Sequence, residues 1–192
     1  QYMIYSPSQA GMVSAKLDQP SFPYATWKLF FYPHIVFGIV ALLIGAYQLT
    51  ERSRKHAKRH KLLGRIYGGS NLANVLVVPY IALYATGGTP STIAFLVLDI
   101  CWLITTVAGI GAILKQRIAR HREWMLRSYA ITFVFVTFRV VLLPLQLVTD
   151  APRSFTFPLA VYVSIVLNLL ITEWYLKSRK ASIPNHSVKG AL

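Results

Sequence analysis

Apolar residues in this chain do not alternate with polar ones. They run in long blocks, each near the roughly 20 residues that a helix needs to cross a bilayer, separated by short charged or Gly/Pro-bearing connectors. Residues 27–50, WKLFFYPHIVFGIVALLIGAYQLT, form the first block, and 62–84, 92–114, 124–148 and 157–176 form four more. Blocks of this length predict an all-α integral membrane bundle of five transmembrane helices over residues 27–178. Residues 1–26 contain Pro7, Pro20 and Pro23 without helical period and read as an irregular extracytoplasmic segment, while 179–192 read as a cytoplasmic tail.

The connectors orient these spans. ERSRKHAKRHK at 51–61 carries Arg52, Arg54, Lys55, Lys58, Arg59 and Lys61, KQRIARHRE at 115–123 is again basic, and KSRK at 177–180 follows the fifth block. The GGTPS turn at 87–91 has no charge, and TDAPRS at 149–154 is a short turn. Positive residues therefore fall on one side at every crossing, which predicts an outer amino terminus and a cytoplasmic carboxyl terminus. Trp27, Tyr84, Trp124 and Trp174 lie near span ends, where amphipathic rings favour the interface.

Within the spans, polar and small residues fall in stripes. His34, Gly38, Ala41, Gly45 and Gln48 follow one face of the first helix, and His60, Gly64, Tyr67, Asn71 and Asn74 one face of the second. His121, Ser128, Thr132, Arg139 and Gln146 do the same in the fourth. Such stripes turn away from lipid, where Ser, Thr and Asn join neighbouring helices and small residues let backbones approach.

Ionisable residues at membrane depth are costly and draw a functional reading. Counting about 1.5 Å per residue puts His34, Asp99 and Arg139 at one level in the outer half, predicting a buried cluster with an Asp99–Arg139 ion pair and His34 beside it. It reads equally as a clasp of three helices or as a substrate or proton site. A second polar level at the cytoplasmic end gathers His60, Arg65, Tyr67, His121, Arg127, Tyr129, Asn168 and Glu173. His60 and His121 begin spans two and four at matching depth, so they are the candidate axial ligands of a b-type haem, with Arg65 and Arg127 near its propionates. The outer level has His34 alone and lacks a second such ligand.

HKLLGRIY at 60–67 and HREWMLRSY at 121–129 form a weak internal repeat, each after a basic connector, which suggests two related helical hairpins plus a fifth helix. Together with HIVFGIVALLIGAYQ at 34–48, the longer HREWMLRSYAITF at 121–133, Arg139 and NLLITEW at 168–174, the chain resembles an uncharacterised bacterial multi-pass membrane family catalogued as a domain of unknown function. The resemblance covers His34 to Trp174. It implies the membrane fold, and a bacterial inner membrane as its place, but no reaction.

Composition narrows the function further. The chain is 55% hydrophobic and 14% charged, which leaves too little polar surface for a water-soluble domain of 192 residues. A net charge of +14 lies beside the spans, so its partners are anionic lipid head groups rather than nucleic acid. Cys101, the single cysteine, excludes an intrachain disulfide and reads as a small core residue. Walker, GxGxxG, CxxC, CxxCH, HExxH and nucleophile-elbow motifs are all missing from the sequence. The chain begins at Gln1 rather than Met, compatible with a removed leader. Three readings stand: a membrane subunit or small binding protein, alone or with a protein partner or second copy; a redox subunit holding haem b or quinone; and a proton or small-solute carrier.

Overall fold

A computed structural model of the chain describes residues 16 and 22–181. The expected outer segment thus lies mostly outside the described residues, as does the tail from 182. Among the described residues every regular element is helical: α1 (Tyr24–Gln48), α2 (Glu51–Arg54), α3 (Ala57–Ala82), α4 (Thr89–Leu114), α5 (Ile118–Thr132), α6 (Val134–Val148) and α7 (Arg153–Ala181). Four stretches are long and apolar enough to cross a membrane: Tyr24–Gln48, Thr89–Leu114, Ile118–Val148 and Arg153–Ala181. The expected second span, 62–84, falls mainly within α3. That helix has the length, but its His60, Ser70, Asn71 and Asn74 make it more polar than the other four. Its first turn and α2 also occupy the basic connector expected to be loop, and α7 continues as helix through Ala181, where a tail was expected from 179.

The helices form an up-and-down bundle. His34 of α1 faces Asn74 of α3 and Gln48 faces His60, so the two run antiparallel. Asn71 of α3 meets Thr106 of α4, and Ala82 meets Thr92. Thr106 and Trp102 meet Ser128 and Thr132 of α5, and Arg127 meets Glu173 of α7. One end of the bundle carries the basic connectors; the other carries Trp27, Gly87 and Arg153.

The interior is small and hydroxylated. Ala41, Ser91, Ala94, Thr106, Ser128, Thr132, Thr156, Ala160 and Ser164 are sealed from solvent, while Leu76, Leu114 and Leu147 are 81%, 79% and 79% exposed. A water-soluble protein has the opposite distribution; a helix bundle in lipid needs this one, because apolar side chains gain nothing by leaving hydrocarbon and small ones let backbones approach. Gly45 shows the approach most closely: a Cβ there would overlap the Tyr129 ring and lie 2.8 Å from that of Tyr67.

The fourth expected span, 124–148, is broken at Phe133 into α5 and α6. The cause lies in α7. Asn168 Nδ2 donates to the Ala130 carbonyl at 2.9 Å, the acceptor a continuous helix would give to Val134, and its Oδ1 accepts from Thr137 Oγ1 at 3.0 Å. A side chain inserted into the ladder interrupts it, and Val136 N–H bonds Phe133 O instead, at 2.9 Å. Beyond the break, α6 packs mainly on α7, and rings fill the wider gap to α4: Phe95 against Phe138 and Trp102 against Phe135, with centroids 5.9 and 5.8 Å apart.

Candidate functional site

That gap is part of a cavity of about 190 Å³ near the Gly87 end, walled by Trp27, Phe31, Phe95, Trp102, Phe135 and Phe138. Its charged or titratable lining groups are Lys16, His34, Asp99 and Arg139. The three residues expected to gather in the outer half thus border one space. The ion pair is not formed, however. Arg139 is exposed on α6 and its Nη1 donates to Phe135 O at 2.7 Å, one turn back on its own helix, while Asp99 is 6% exposed and its Oδ1 has no hydrogen-bond partner. The separation follows from the break at Phe133, which leaves α6 bound to α7 rather than to α4.

His34 is held from α3. With the Asn74 amide turned to satisfy its neighbours, its nitrogen donates to His34 Nδ1 at 3.1 Å and to the His34 carbonyl at 3.3 Å, and its oxygen accepts from Gly38 N–H at 3.1 Å. Nδ1 is then an acceptor, which leaves the proton of the neutral ring on Nε2. Lys16 adds a group with no periodic signal in the sequence. Its Nζ donates to the Tyr84 carbonyl and lies 5.1 Å from the Trp27 ring centre and 5.9 Å from that of Phe22, and burial pulls its pKa down to about 8.

Below the cavity, toward the basic end, lies a closed hydroxyl network. Tyr67 OH pairs with Ser128 Oγ at 2.9 Å and Thr132 Oγ1 at 3.1 Å; Thr106 pairs with Ser128 at 2.8 Å; Trp102 Nε1 donates to Thr132 at 2.9 Å; and Asn71 Nδ2 donates to Thr106 at 3.2 Å. Stripe counting turns Tyr67, Asn71, Ser128 and Thr132 inward but misses Trp102 and Thr106. The available signal was their i+3 and i+7 spacing from Asp99 on one face of α4.

The polar level expected at the basic end is not one cluster. Tyr67 belongs to the hydroxyl network, Tyr129 packs against the core around Tyr67 with both rings beside Gly45, Asn168 sits at the α5–α6 break, and Arg65 is exposed. Arg127 and Glu173 form an ion pair between α5 and α7, extended by Glu123 and Lys180. His60 Nδ1 lies 3.0 Å from Ser53 Oγ, and Ser53 in turn hydrogen-bonds Gln48. His121 Nδ1 donates to Gly109 O at 2.8 Å. Burial first, then the charges of His121, Arg54 and Arg122, hold the His60 imidazole below its ordinary pKa. Among the described residues no three metal-ligating side chains gather.

The family described as "Predicted membrane protein (DUF2306)" matches residues 31–176, most of the chain. The chain belongs to this family. The DUF2306 match spans α1 to α7 and with it the lining of the cavity from Phe31 to Phe157, which makes the fold and the cavity features of one matched region. As a domain of unknown function, DUF2306 brings no reaction. No curated protein and no solved structure matches the chain.

Proposed function

We propose that this protein is a membrane-embedded binding protein for a small organic molecule, with its site in the aromatic cavity beside Asp99. One observation carries the reading: a buried carboxyl whose Oδ1 has no partner borders a space walled by rings. Burying a polar atom without a hydrogen bond costs about 1–3 kcal/mol, which a ligand's donor or positive charge beside Asp99 would offset. Mostly apolar walls with a few polar groups are the usual make-up of a small-molecule site. The volume suits a molecule slightly larger than one ring, since an engineered apolar cavity of about 150 Å³ takes benzene. Phenol is a suitable neutral probe: it should quench the wall tryptophans saturably in the native protein, and Ala85→Phe, at the cavity lining, should abolish saturation. Equal, unsaturable partitioning of phenol into both proteins would overturn the reading.

The surroundings we infer are a cell membrane crossed five times, with the basic end cytoplasmic and set against anionic head groups. α3 supports the fifth crossing: its 26 residues extend about 39 Å, and it runs antiparallel between α1 and α4, both long and apolar enough to span. Basic connectors at a single end support the orientation.

Haem b at the basic end is a second reading, favoured by the way His60 and His121 are held. Each ring is anchored through Nδ1, to Ser53 Oγ and to Gly109 O, an arrangement that orients an imidazole and keeps Nε2 for a metal. Oxidised and reduced absorption spectra test it. A Soret band that disappears in His121→Ala is expected, and a colourless protein after expression with ample haem would overturn it.

A further inference from the structure

The charges around the aromatic cavity are unevenly placed. Phe95 packs on Phe138 and Trp102 on Phe135, so Asp99 lies between these two levels and Arg139 about one helical turn nearer the Gly87 end. Asp99 is the acid at the floor, 6% exposed with Oδ1 unpartnered. The rim is cationic. Arg139 is exposed and, among the described residues, uses one of its five N–H donors, Nη1 to Phe135 O, and the Lys16 ammonium lies over Trp27.

A simple cation drawn to Asp99 must pass two like charges. A simple anion stops at the rim and leaves the buried carboxyl unmatched. A molecule bearing both charges matches both levels, and the intervening rings present their negative faces to an alkylated ammonium. We propose that the cavity binds a small zwitterion, its ammonium group at Asp99 among the rings and its anionic group at Arg139. This rests on the cavity being a ligand site, as argued above. A free betaine-like solute and the head group of a zwitterionic lipid share this chemistry.

Glycine betaine is the probe, with choline and propionate as its one-charge counterparts, and the whole protein is held in nanodiscs of phosphatidylglycerol, which has no ammonium group. Calorimetry should show saturable betaine binding at least tenfold tighter than either counterpart. Asp99→Asn should weaken it at least tenfold, and so should Arg139→Gln, whose exposed side chain keeps the test available if the Asp99 variant fails to fold. In phosphatidylcholine nanodiscs, weakened betaine binding supports a lipid head group as the natural source, and unchanged binding supports a soluble zwitterion. Choline binding as tightly as betaine, or unchanged betaine affinity in Arg139→Gln, overturns the inference. Phenol binding without betaine binding overturns it while leaving the cavity reading standing; binding of neither removes both.

Discussion

Arg127 holds Glu173 by two bonds across the α5–α7 interface, Nε to Oε1 at 2.5 Å and Nη2 to Oε2 at 3.0 Å. This paired geometry fixes both the distance and the rotation of α7 against α5. Glu123 lies 4.0 Å from the same guanidinium and 2.8 Å from Lys180, so the last turns of α7 are drawn onto the start of α5. The side chains of Arg127 and Glu173 are 19% and 40% exposed, between the buried and the freely solvated regimes. Arg127→Gln or Glu173→Gln should each cost about 1–2 kcal/mol, and the double variant less than their sum. Thermal unfolding of the four proteins in detergent measures this coupling; strictly additive losses would show that the pair does not join the helices.

Asn168 serves two groups at once, the Ala130 carbonyl and the Thr137 hydroxyl. Asn168→Leu should cost about 1–3 kcal/mol by orphaning them, unless the α5–α6 ladder closes. Hydrogen exchange separates these outcomes. With Asn168 in place the Val134 amide bonds the Ile131 carbonyl across a tighter turn, and slower exchange there in Asn168→Leu would show that the side chain had been holding the helix open.

Two glycines should respond in opposite directions to alanine. A Cβ at Gly45 collides with the rings of Tyr129 and Tyr67, so Gly45→Ala should lose about 1–3 kcal/mol. A Cβ at Gly69, inside α3, meets nothing within 4 Å, and Gly69→Ala should gain about 0.5–1 kcal/mol of helix stability. Melting temperatures of the two variants, taken in one detergent, check both signs.

Topology is open to a direct check. A reporter fused after Lys180 should behave as cytoplasmic and one placed in the turn at Gly87 as extracytoplasmic. Both reporters on one side would mean an even number of crossings between them, with one of α4, α5–α6 and α7 not spanning, and a third reporter in the 51–61 connector on the same side as Gly87 would mean that α3 does not cross.

Period and depth were legible in the sequence; bearing around the bundle axis was not. Rise per residue placed His34, Asp99 and Arg139 at a common height; all three border one cavity, with Arg139 about one helical turn nearer the Gly87 end than Asp99. The same arithmetic merged Tyr67, His121, Asn168 and Glu173 into a single level, because height alone does not say which helices are neighbours. The missing Asp99–Arg139 pair has a remote cause: residue 168 breaks the helix at residue 133, and no local signal at Phe133 announces it. Lys16 escaped because its place depends on a carbonyl at Tyr84, 68 residues away.

The Leu, Ile and Val coat of the bundle governs its response to temperature. Heat capacity rises on unfolding when apolar surface passes from a dry interior into water. Here residues such as Leu76, Leu114 and Leu147 already face outward and would remain in hydrocarbon or detergent after the helices separate, while the side chains newly uncovered are hydroxyls and amides about as often as apolar groups. The heat-capacity increment should therefore be small for a chain of this length, the stability curve broad and shallow, and cold denaturation absent from the accessible range.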